Sequence, residues 1–463
     1  MTSVFSFYRL FEKALSRLTA GAFSSADAKG VYSGYRAHRI ETRVPFPIRI
    51  SDIVLSAEGL DQFYFRDRRN RYEVGAIGCT RVFTGNPDGK LPIDEIAGLW
   101  EQDPLFVLFG GMSFFNNSAT PPEWRSFDRF RFVLPLVEFR GDADGCTIVL
   151  NCLFPENQEP FVITDDIGKQ LRALDDMALS QVPSGEIPPH SVTLVPGHEK
   201  WGLLVKEALG WLRENGARKV VLARKKIMKS DQYWDPVRLF RGIERIEEDS
   251  FLFYCRQKTG DAFFGRSPER LFNLSEGVLS TDAIAGTRPR GDNPGQDDLL
   301  ESQLMASIKD LEEHRIVVDY IREHMARLCK TLEVTASLKP LKLRHLQHII
   351  TRVRGRDHNG LNPVETMFRL HPTPAVCGVP PEGSKEMIQR LEPFGRGWYG
   401  APIGWMSRHA AEFAVGIRSA LVSEKELHLF GGAGIVEKSD AEMEWQETGH
   451  KMENFTRILD GEI

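Results

Sequence analysis

The chain starts with an apolar pattern that has the spacing of one helix face. Within the first 18 residues, apolar side chains recur at Phe7, Leu10, Phe11, Leu15 and Leu18. Gaps of three and four residues place these side chains on one side of an α-helix, so we predict an amphipathic first helix. A transit peptide is the alternative, but such peptides are poor in acidic residues and Glu12 lies within the segment.

A strand-rich region follows, from the stretch AHRIETRVPFPIRI to about residue 155. Runs such as PLFVLFGGMSFF and RFRFVLPLVEFRG are rich in β-branched and aromatic residues and are separated by turn residues, which predicts successive strands. Residues 156–200 are polar and contain several prolines, which is typical of a crossover or linker.

Beyond residue 200 the pattern alternates between strands and helices. The predicted strands are the stretch KVVLAR and residues near 251–256, 262–265, 411–422 and 426–436. The predicted helices are one that ends at Gly216, one from about 297 to 330 that begins near Asp297 or Asp298, and one over 440–460. Residues 355–403 are predicted to be rich in loops.

Mixed helices and strands with many antiparallel hairpins predict the α+β class. We expect three regions: a helix and lead-in at 1–40, a strand-rich half at 41–200, and a catalytic region at 201–463 that intertwines with the second.

Composition and charge exclude several classes of function. The 463 residues are 41% hydrophobic and 27% charged with a net charge of −5, which argues against binding to nucleic acid or an anionic membrane surface. No stretch approaches the ~20 consecutive apolar residues of a membrane span. The six cysteines form no CxxC pair, so we expect reduced thiols and a cytoplasmic protein.

The stretch GRGWYG, residues 395–400, fits the dinucleotide-binding pattern G-x-G-x-x-G. That pattern binds a cofactor only between a strand and a helix, with an acidic residue ~20 positions later. Here it follows a proline-containing loop and continues into APIGW, which does not begin a helix. We therefore reject the dinucleotide interpretation.

Acidic residues occupy one helix face in two separate segments. In AEMEWQETGHK, Glu444, Glu447 and Lys451 share a face, and in KDLEEHR, Asp310 and Glu313 lie three residues apart. A solvated helix surface is the commoner explanation of such stripes. The alternative is a Mg²⁺ site, because this ion prefers carboxylate oxygens and keeps several waters. The pattern leaves open whether the two faces converge.

Several other stretches place donors or glycines in constrained positions. We predict a tight turn at the glycines of FGGAGIVEK, where successive N–H groups can form a nest for an anion. The donor-rich AIAGTRPRG suits a carboxylate-bearing substrate, although a solvated turn would look similar. RLHPTP sets His371 against two prolines, and FAVGIRSALV places Arg418 in an apolar strand, where it needs a carboxylate partner.

In ARKVVLARKK, alternate residues point to opposite sides of the predicted strand. Lys219 therefore shares a face with Val221, and Arg224 lies on the other face. We predict that Lys219 points inward. The remaining basic residues are predicted to be a solvated fringe: Arg218, Lys225 and Lys226.

Taken together, these motifs resemble those of the chorismate-utilising enzymes, which include isochorismate, salicylate, anthranilate and aminodeoxychorismate synthases. The resemblance is carried, in chain order, by KVVLAR, SPERLF, AIAGTRPRG, LEEHR, HPTPAVCG, YGAPIGW, GIRSAL and GGAGIVEKSDAEMEWQETGHK. The amino-terminal half, with FVLFGGMSFF and FRFVLPLVEF, is similar to that of isochorismate synthases. The resemblance implies two packed antiparallel β-sheets flanked by helices, with a cleft that requires Mg²⁺.

The resemblance also implies roles for individual residues. Lys219 and Glu269 match the general base and general acid, and Glu313 and Glu447 match the direct Mg²⁺ ligands. Two further carboxylates would hold metal-bound waters: Asp310 and Glu444. The substrate-contacting positions are Gly286, Thr287, His371, Tyr399, Arg418, Gly432, Ala433, Gly434 and Lys451.

Two positions distinguish the branches of the family. Ammonia-adding members usually have glutamine where this chain has Lys219, and aminodeoxychorismate synthases typically carry a lysine at the position of Ala285. The water-adding branch has a lysine and a glutamate, as here at Lys219 and Glu269. The resemblance therefore implies an isochorismate synthase: an isomerase that adds water at C2 of chorismate as the C4 hydroxyl leaves, serving menaquinone biosynthesis.

Three alternatives stay open. A salicylate synthase would eliminate pyruvate in the same site, and an isochorismate synthase could supply a siderophore instead of menaquinone. A chorismate-binding protein without catalysis is the third, although the intact residues Lys219 and Glu269 argue against it. We expect no amidotransferase subunit, no nucleic acid and no membrane partner, and either a monomer or a homodimer.

Overall fold

The computed structural model describes residues 6–19, 34–46, 48–85, 90–115, 119–178, 187–246, 249–335, 338–343, 346–357 and 360–462. Its helices are α1 (Phe7–Thr19), α2 (Ile50–Ser56), α3 (Ile93–Gln102), α4 (Pro160–Ala178), α5 (His198–Asn215), α6 (Pro236–Glu244), α7 (Pro294–Ala306), α8 (Ile308–Leu328), α9 (Pro363–Leu370), α10 (Pro381–Leu391), α11 (Ala441–His450) and α12 (Glu453–Leu459). None of these described helices combines the length and the apolar character needed to cross a membrane.

The strands are β1 (Tyr35–Val44), β2 (Gln62–Arg66), β3 (Glu73–Ile77), β4 (Arg81–Thr84), β5 (Leu108–Met112), β6 (Phe130–Leu134), β7 (Val137–Asp142), β8 (Gly145–Pro155), β9 (Ser191–Val195), β10 (Lys219–Lys229), β11 (Phe251–Arg256), β12 (Ala262–Ser267), β13 (Arg270–Ser275), β14 (Val278–Pro289), β15 (Cys329–Val334), β16 (Lys339–Lys342), β17 (Leu346–Asp357), β18 (Gly378–Val379), β19 (Pro402–Met406), β20 (Ala411–Val415), β21 (Ser419–Ser423) and β22 (Glu426–Ile435).

These strands form two antiparallel sheets. The first has the order β1-β8-β7-β3-β2-β11-β12-β21-β22-β10-β18, with β9 also paired to β10. The second has the order β15-β17-β14-β13-β20-β19-β5-β6-β4, with β16 also paired to β17. The predicted α+β class with two antiparallel sheets is confirmed.

Strands from both halves of the sequence are hydrogen-bonded to each other in each sheet. In the first sheet β2 pairs with β11, so that Tyr64 lies opposite Tyr254. In the second sheet β5 pairs with β19, so that Gly110 lies opposite Gly404. Because each sheet needs strands from 41–200 and from 201–463, we propose that the two regions fold as one unit.

The predicted amphipathic first helix is present as α1. Its apolar residues Phe7, Phe11 and Leu15 are buried, and α1 packs against α4. Ser6 Oγ donates a 2.7 Å hydrogen bond to Asp175 on α4, which ties the start of α1 to that helix. The rest of the predicted lead-in, at 1–5 and 20–33, lies outside the described residues.

Helix α5 ends as predicted, because Gly216 adopts the left-handed conformation with φ of 60° and terminates the helix. Strand β10 then begins at Lys219. It pairs with β22 along its length and with β18 at its first two residues. The predicted KVVLAR strand therefore lies inside the first sheet.

The predicted helical run over 297–330 is two helices, α7 and α8, with Ser307 between them. The Ser307 hydroxyl accepts a hydrogen bond from the Asp310 amide and caps α8. The start of α7 also differs from the prediction, because Asn293 is its N-cap and Pro294 its first residue. Asp297 instead accepts from Arg290 Nε at 2.6 Å. The predicted final helix likewise divides into α11 and α12.

Two regions predicted as linker and loop contain helices. Residues 156–200 include α4, and residues 355–403 include α9 and α10. Each of these helices begins with a proline, at Pro160, Pro363 and Pro381. Proline is favoured at the first helical position because its missing N–H would have no partner there. The prolines that indicated loops thus mark helix starts.

Aromatic side chains fill the space between the sheets. Phe63 on β2 and Phe109 on β5 have ring centroids 5.4 Å apart, which joins the first sheet to the second. Tyr399 stacks on Phe430 of β22 at 5.0 Å. Rings of this size bury large apolar areas, and each Å² of apolar surface removed from water stabilises the fold by roughly 25 cal/mol. Of these rings, Tyr399 and Phe430 form part of the wall of the cleft that the predicted site residues surround.

Candidate active site

A cleft lies between the two sheets, and its remaining side is formed by α8 and α11. Its volume is about 70 Å³. The predicted site residues that line it are Lys219, Glu269, Gly286, Thr287, Glu313, Tyr399, Arg418, Gly432, Gly434, Glu447 and Lys451. The cleft therefore brings together side chains that are spread over more than 230 positions of the chain, 219 to 451.

Lys219, the first residue of β10, points into this cleft with a side chain that is 1% exposed. Its Nζ donates a 2.8 Å hydrogen bond to Glu313 Oε1. Gly434 on β22 makes room for the pair, since a Cβ there would lie 2.7 Å from Glu313 Oε1 and 2.7 Å from Lys219 Cε. The glycines around Gly434 were predicted to form a tight turn, but they lie within strand β22, so that prediction is wrong.

Glu269 lies between β12 and β13 and is 4% exposed. Its Oε1 accepts a 3.2 Å hydrogen bond from the Thr373 hydroxyl. Burial raises the pKa of Glu269 to about 7, although Thr373, Lys219 and Lys451 act in the opposite direction. Near neutral pH the carboxyl is therefore divided between its protonated and ionised forms, as a proton donor requires.

Each of the four carboxylates predicted to lie at a metal contacts a cation. The ion pairs are Lys219–Glu313 at 2.8 Å, Lys451–Glu447 at 2.6 Å, Arg288–Asp310 at 2.6 Å and Lys309–Glu444 at 2.9 Å. Lys309 lies on α8 and Glu444 on α11. The two acidic helix faces, which the sequence left unconnected, therefore meet.

The donor set facing the cleft fits a divalent cation of the Mg²⁺ type. Glu313 from α8 and Glu447 from α11 both line it. Across the described residues, no three His, Cys, Asp or Glu side chains form a ready-made metal-binding group. Mg²⁺ does not need one, because it commonly binds through one or two carboxylates and completes its shell with waters and substrate oxygens.

The other two acidic residues lie behind this pair. Asp310 and Glu444 are three residues before Glu313 and Glu447 on the same helices and do not line the cleft. Burial raises the pKa of both Asp310 and Glu444. Glu447 differs: although burial opposes it, Lys451 and further cations hold the pKa of its carboxyl below the ordinary value. The surroundings of Glu447 therefore keep its carboxylate ionised.

His348 on β17 lines the cleft and was not predicted. Its Nδ1 lies 3.2 Å from the Gly286 carbonyl oxygen and its Nε2 lies 3.3 Å from Arg418 Nη2. A guanidinium can only donate, so Nε2 accepts and Nδ1–H donates to Gly286. Burial and the nearby Arg418 and Lys451 charges place the pKa of His348 well below its usual value, which keeps the ring neutral. No pattern in the sequence distinguishes it, because β17 also contains other polar residues such as Gln347 and Thr351.

Cationic and backbone donors surround the rest of the cleft. Lys451 Nζ donates to the Gly432 carbonyl at 2.8 Å and to Glu447 at 2.6 Å, which joins the end of α11 to β22. Arg418 was predicted to lie in an apolar strand, and this is wrong. It lies between β20 and β21 with a φ of 51°, in the left-handed region. The turn directs Arg418 toward His348 and the cleft.

Two predicted substrate contacts lie away from the lining. Ala433 is fully buried in the apolar core, because it points to the opposite face of β22 from Gly432 and Gly434. His371 packs edge-on against Phe114, with ring centroids 5.3 Å apart. The HPTP motif instead reaches the cleft through Thr373 and its bond to Glu269, a contribution that the sequence interpretation missed.

The surroundings of the basic residues on β10 were predicted correctly for some of these residues and not for others. Arg224 faces away from the cleft, as expected, and its guanidinium lies 3.6 Å over the Trp445 ring. Lys225 was predicted to be solvated, but its side chain is 7% exposed and its Nζ lies 2.6 Å from Glu123 Oε1. Lys226 is half-buried, and burial lowers its pKa. The fringe prediction is therefore wrong for Lys225 and incomplete for Lys226.

The rejected dinucleotide pattern at 395–400 lies in turns between α10 and β19, without the strand and helix it would need. Within it, Arg396 is buried and ion-paired with Glu392 at 2.5 Å. Arg396 also donates to the Val376 and Val221 carbonyl oxygens. It supports the cleft wall structurally.

Comparison with known proteins gives matches along nearly the whole chain. The family described as chorismate binding enzyme matches residues 55–460. Isochorismate synthase, chloroplastic, of Catharanthus roseus is 30% identical over 406 residues, 85% of this chain and 69% of that protein. Isochorismate synthase MenF of Bacillus subtilis is 28% identical over 426 residues, 87% of this chain and 88% of that protein.

A solved structure shows the same architecture. It is described as that of MenF, the menaquinone-specific isochorismate synthase from Escherichia coli, and it superposes with a TM-score of 0.81 at 26% identity. The superposition covers 97% of this chain and 99% of that one. The agreement extends over both sheets and therefore includes the cleft between them.

Proposed function

The chain belongs to the chorismate binding enzyme family, and from this premise we infer that it is an isochorismate synthase. It converts chorismate to isochorismate: water adds at C2, the ring double bonds shift and the C4 hydroxyl leaves. The reaction is an isomerisation. The relatives described as MenF support menaquinone biosynthesis as its pathway.

The observation that carries this proposal is that Lys219, on β10, and Glu269, in the connection between β12 and β13, face the same cleft. Water is a weak nucleophile and hydroxide a poor leaving group, so the reaction needs one group that takes a proton and another that gives one. Lys219 is the proposed base for the attacking water. Glu269 is the proposed acid for the departing hydroxyl, and its pKa of about 7 suits that role.

The substrate carries two carboxylates, and the cleft offers cations and backbone donors for them. Arg418 and Lys451 are the proposed charged contacts, with Gly286 and Thr287 as contacts along β14. Gly286 is suited to close approach because its φ of 75° is left-handed and an added Cβ would lie 3.0 Å from Asp310 Cβ. Neutral His348 would hold Arg418 in place without adding a competing charge.

We propose Mg²⁺ as the cofactor, held by Glu313 and Glu447, with Asp310 and Glu444 accepting hydrogen bonds from its waters. When bound, the ion would neutralise the ring carboxylate of chorismate. The supporting observation is that both glutamates face the cleft from different helices with carboxylate oxygens, the donor type that Mg²⁺ prefers.

The test is a product analysis. Purified protein is incubated with chorismate and Mg²⁺, and the products are separated by liquid chromatography. We expect isochorismate without pyruvate, and no aminated product when ammonium is added. Equimolar salicylate and pyruvate would instead indicate a salicylate synthase. Tight chorismate binding without turnover would indicate a binding protein, and the isochorismate synthase assignment would then be wrong.

A further inference from the structure

A second polar cavity lies on the second sheet, outside the cleft. Its volume is about 70 Å³, and the strands β13, β14 and β17 form its floor. Six arginines line it: Arg68, Arg69, Arg71, Arg270, Arg352 and Arg354. Among the described residues of this lining, Asp282 is the one acidic side chain. We call this cavity the arginine pocket.

The strand register explains how the arginines converge. Arg352 and Arg354 are two residues apart on β17 and so point to the same side of the sheet. They lie opposite Asp282 and Ser280 of β14. The connection after β2 then places Arg68, Arg69 and Arg71 over the same spot. The cluster is therefore formed by three separate segments of the chain.

The carboxylates in contact with the cluster do not neutralise it. Asp282 lies 2.7 Å from Arg68, Glu412 lies 2.7 Å from Arg270, and Asp67 lies 2.7 Å from Arg71. Arg352 Nε is 3.7 Å from the already paired Asp282. Six guanidinium groups thus face three carboxylates, in a chain whose net charge is −5.

Some of the donors are unused. Within the described part of the chain, the side chains of Arg69 and Arg354 have no ion-pair partner. The Arg68 side chain is 5% exposed, and its Nε has no acceptor among the described residues. A buried N–H without an acceptor is destabilising, because it has lost its hydrogen bonds to water. A bound anion would supply acceptors to this buried donor and to the exposed ones.

We propose that the arginine pocket binds a phosphate group of a small molecule. Every cation that lines it is an arginine, and the planar guanidinium matches phosphate oxygens with two parallel hydrogen bonds. A dianion offsets more of the surplus charge than a single carboxylate does. The cavity of about 70 Å³ is several times the ~10–15 Å³ that one water requires, which is space for one tetrahedral head group with the rest of the ligand outside.

The arginine pocket shares strands with the cleft. The cross-strand pair Asp282–Arg352 is separated from Thr287–His348 by three pairs: Ala283–Thr351, Ile284–Ile350 and Ala285–Ile349. Arg352 and His348 are four residues apart, about 13 Å along β17 at ~3.3 Å per residue. A ligand in the pocket would therefore contact the same strands that carry site residues.

The proposal is tested by isothermal titration calorimetry on the full-length protein in metal-free buffer at constant ionic strength. The probes are pyrophosphate and inorganic phosphate, with malonate as a dicarboxylate of similar charge. We expect one saturable site for pyrophosphate. The double variant Arg352→Gln/Arg354→Gln should weaken binding at least ~10-fold, the scale of losing charge-assisted bidentate contacts.

The matched control is Arg356→Gln, two residues further along β17, exposed and outside the pocket lining. It should bind pyrophosphate as the natural protein does. Arg69→Gln, on the connection after β2, is a second variant that leaves the strands untouched and should also weaken binding. Absence of saturable pyrophosphate binding, or equal binding by the double variant and Arg356→Gln, would overturn the proposal. Malonate binding as tight as pyrophosphate would overturn the assignment to phosphate.

Discussion

Lys219 Nζ and Glu313 Oε1 are 2.8 Å apart, so the proposed general base is ion-paired with a proposed metal ligand. The two residues are separated by 94 positions and come from strand β10 and helix α8. Their contact couples the two functions assigned to the cleft, proton transfer and cation binding. A change at either residue is therefore expected to affect both.

Replacing Lys219 by alanine removes the proposed base. Lys219→Ala should lower kcat at least ~100-fold, the lower range for loss of a general acid–base group. Lys229→Ala is the matched control, since Lys229 ends the same strand with a side chain that is 59% exposed. The kcat of both variants is measured from the rate of isochorismate formation, with chromatography used to quantify the product. A near-normal kcat in Lys219→Ala would show that Lys219 is not the general base.

Replacing Glu269 by glutamine removes the proposed acid but keeps the shape of the side chain. The acid must be protonated, so with a pKa of about 7 the wild-type rate should fall as pH rises above neutrality. Glu269→Gln should lower kcat by ~100-fold or more and abolish that alkaline limb. Glu276→Gln, on the exposed turn between β13 and β14, should retain both the rate and the pH profile. An unchanged alkaline limb in Glu269→Gln would assign the ionisation to another group.

The same residue should make stability depend on pH. Because burial raises the folded-state pKa of Glu269 to about 7 from 4.5, the folded protein binds an additional proton between these values. The cost of burying its charge is therefore absent below pH 4.5 and complete above about pH 7, where it reaches roughly 3 kcal/mol at 1.36 kcal/mol per pKa unit. Glu269→Gln should raise the free energy of unfolding relative to wild type at pH 8 and less at pH 5, as urea titrations can measure. An equal effect at both pH values would contradict the shift.

Removing the charge of Glu313 should weaken cation binding. Glu313→Gln keeps the length of the side chain but loses a carboxylate, so the Mg²⁺ concentration for half-maximal activity should rise at least ~10-fold. Glu312→Gln is the control, because Glu312 is exposed on the neighbouring position of α8 and does not line the cleft. Titration of Mg²⁺ against rate measures the change. Equal Mg²⁺ requirements in the two variants would exclude Glu313 as a ligand.

Adding one methyl group at Gly434 should disturb the Lys219–Glu313 pair directly. An alanine Cβ would lie 2.7 Å from Glu313 Oε1, inside contact distance, so these side chains must move. We expect Gly434→Ala to lower kcat at least ~10-fold while the protein remains folded, because positioning errors near 1 Å can cost up to ~100-fold. Gly210→Ala on α5 meets nothing within 4 Å and should be slightly stabilising and fully active. Equal activity in both variants would show that the pair is not needed in this geometry.

Much of the fold was readable from local pattern. The amphipathic spacing of Phe7, Phe11 and Leu15 predicted α1, and Gly216 marked the end of α5. Prediction from the local pattern was wrong where one residue type is found in two different kinds of structure. Pro160, Pro363 and Pro381 suggested loops but start helices, since proline disrupts a helix interior and suits its first turn.

The candidate site was predicted unevenly for a similar reason. Thr373 and His348 were missed because neither residue type signals chemistry without its neighbours. Thr373 matters through its bond to Glu269, and His348 through its contact with Arg418. Ala433 belongs to the predicted motif but does not line the cleft, because a motif names consecutive residues whereas a strand turns alternate ones to opposite faces.

The sequence by itself determined the class of elements and, through Lys219 and Ala285, the branch of the family that the resemblance implies. Only the tertiary structure decided that the acidic faces of α8 and α11 meet at Lys309–Glu444 and that Lys225 is buried against Glu123. The physical reason is that the periodicity of a sequence shows which residues share one face of a helix or strand. It does not show which other element packs on that face. Burial, ion pairing and the pKa of Glu269 all depend on that covering element.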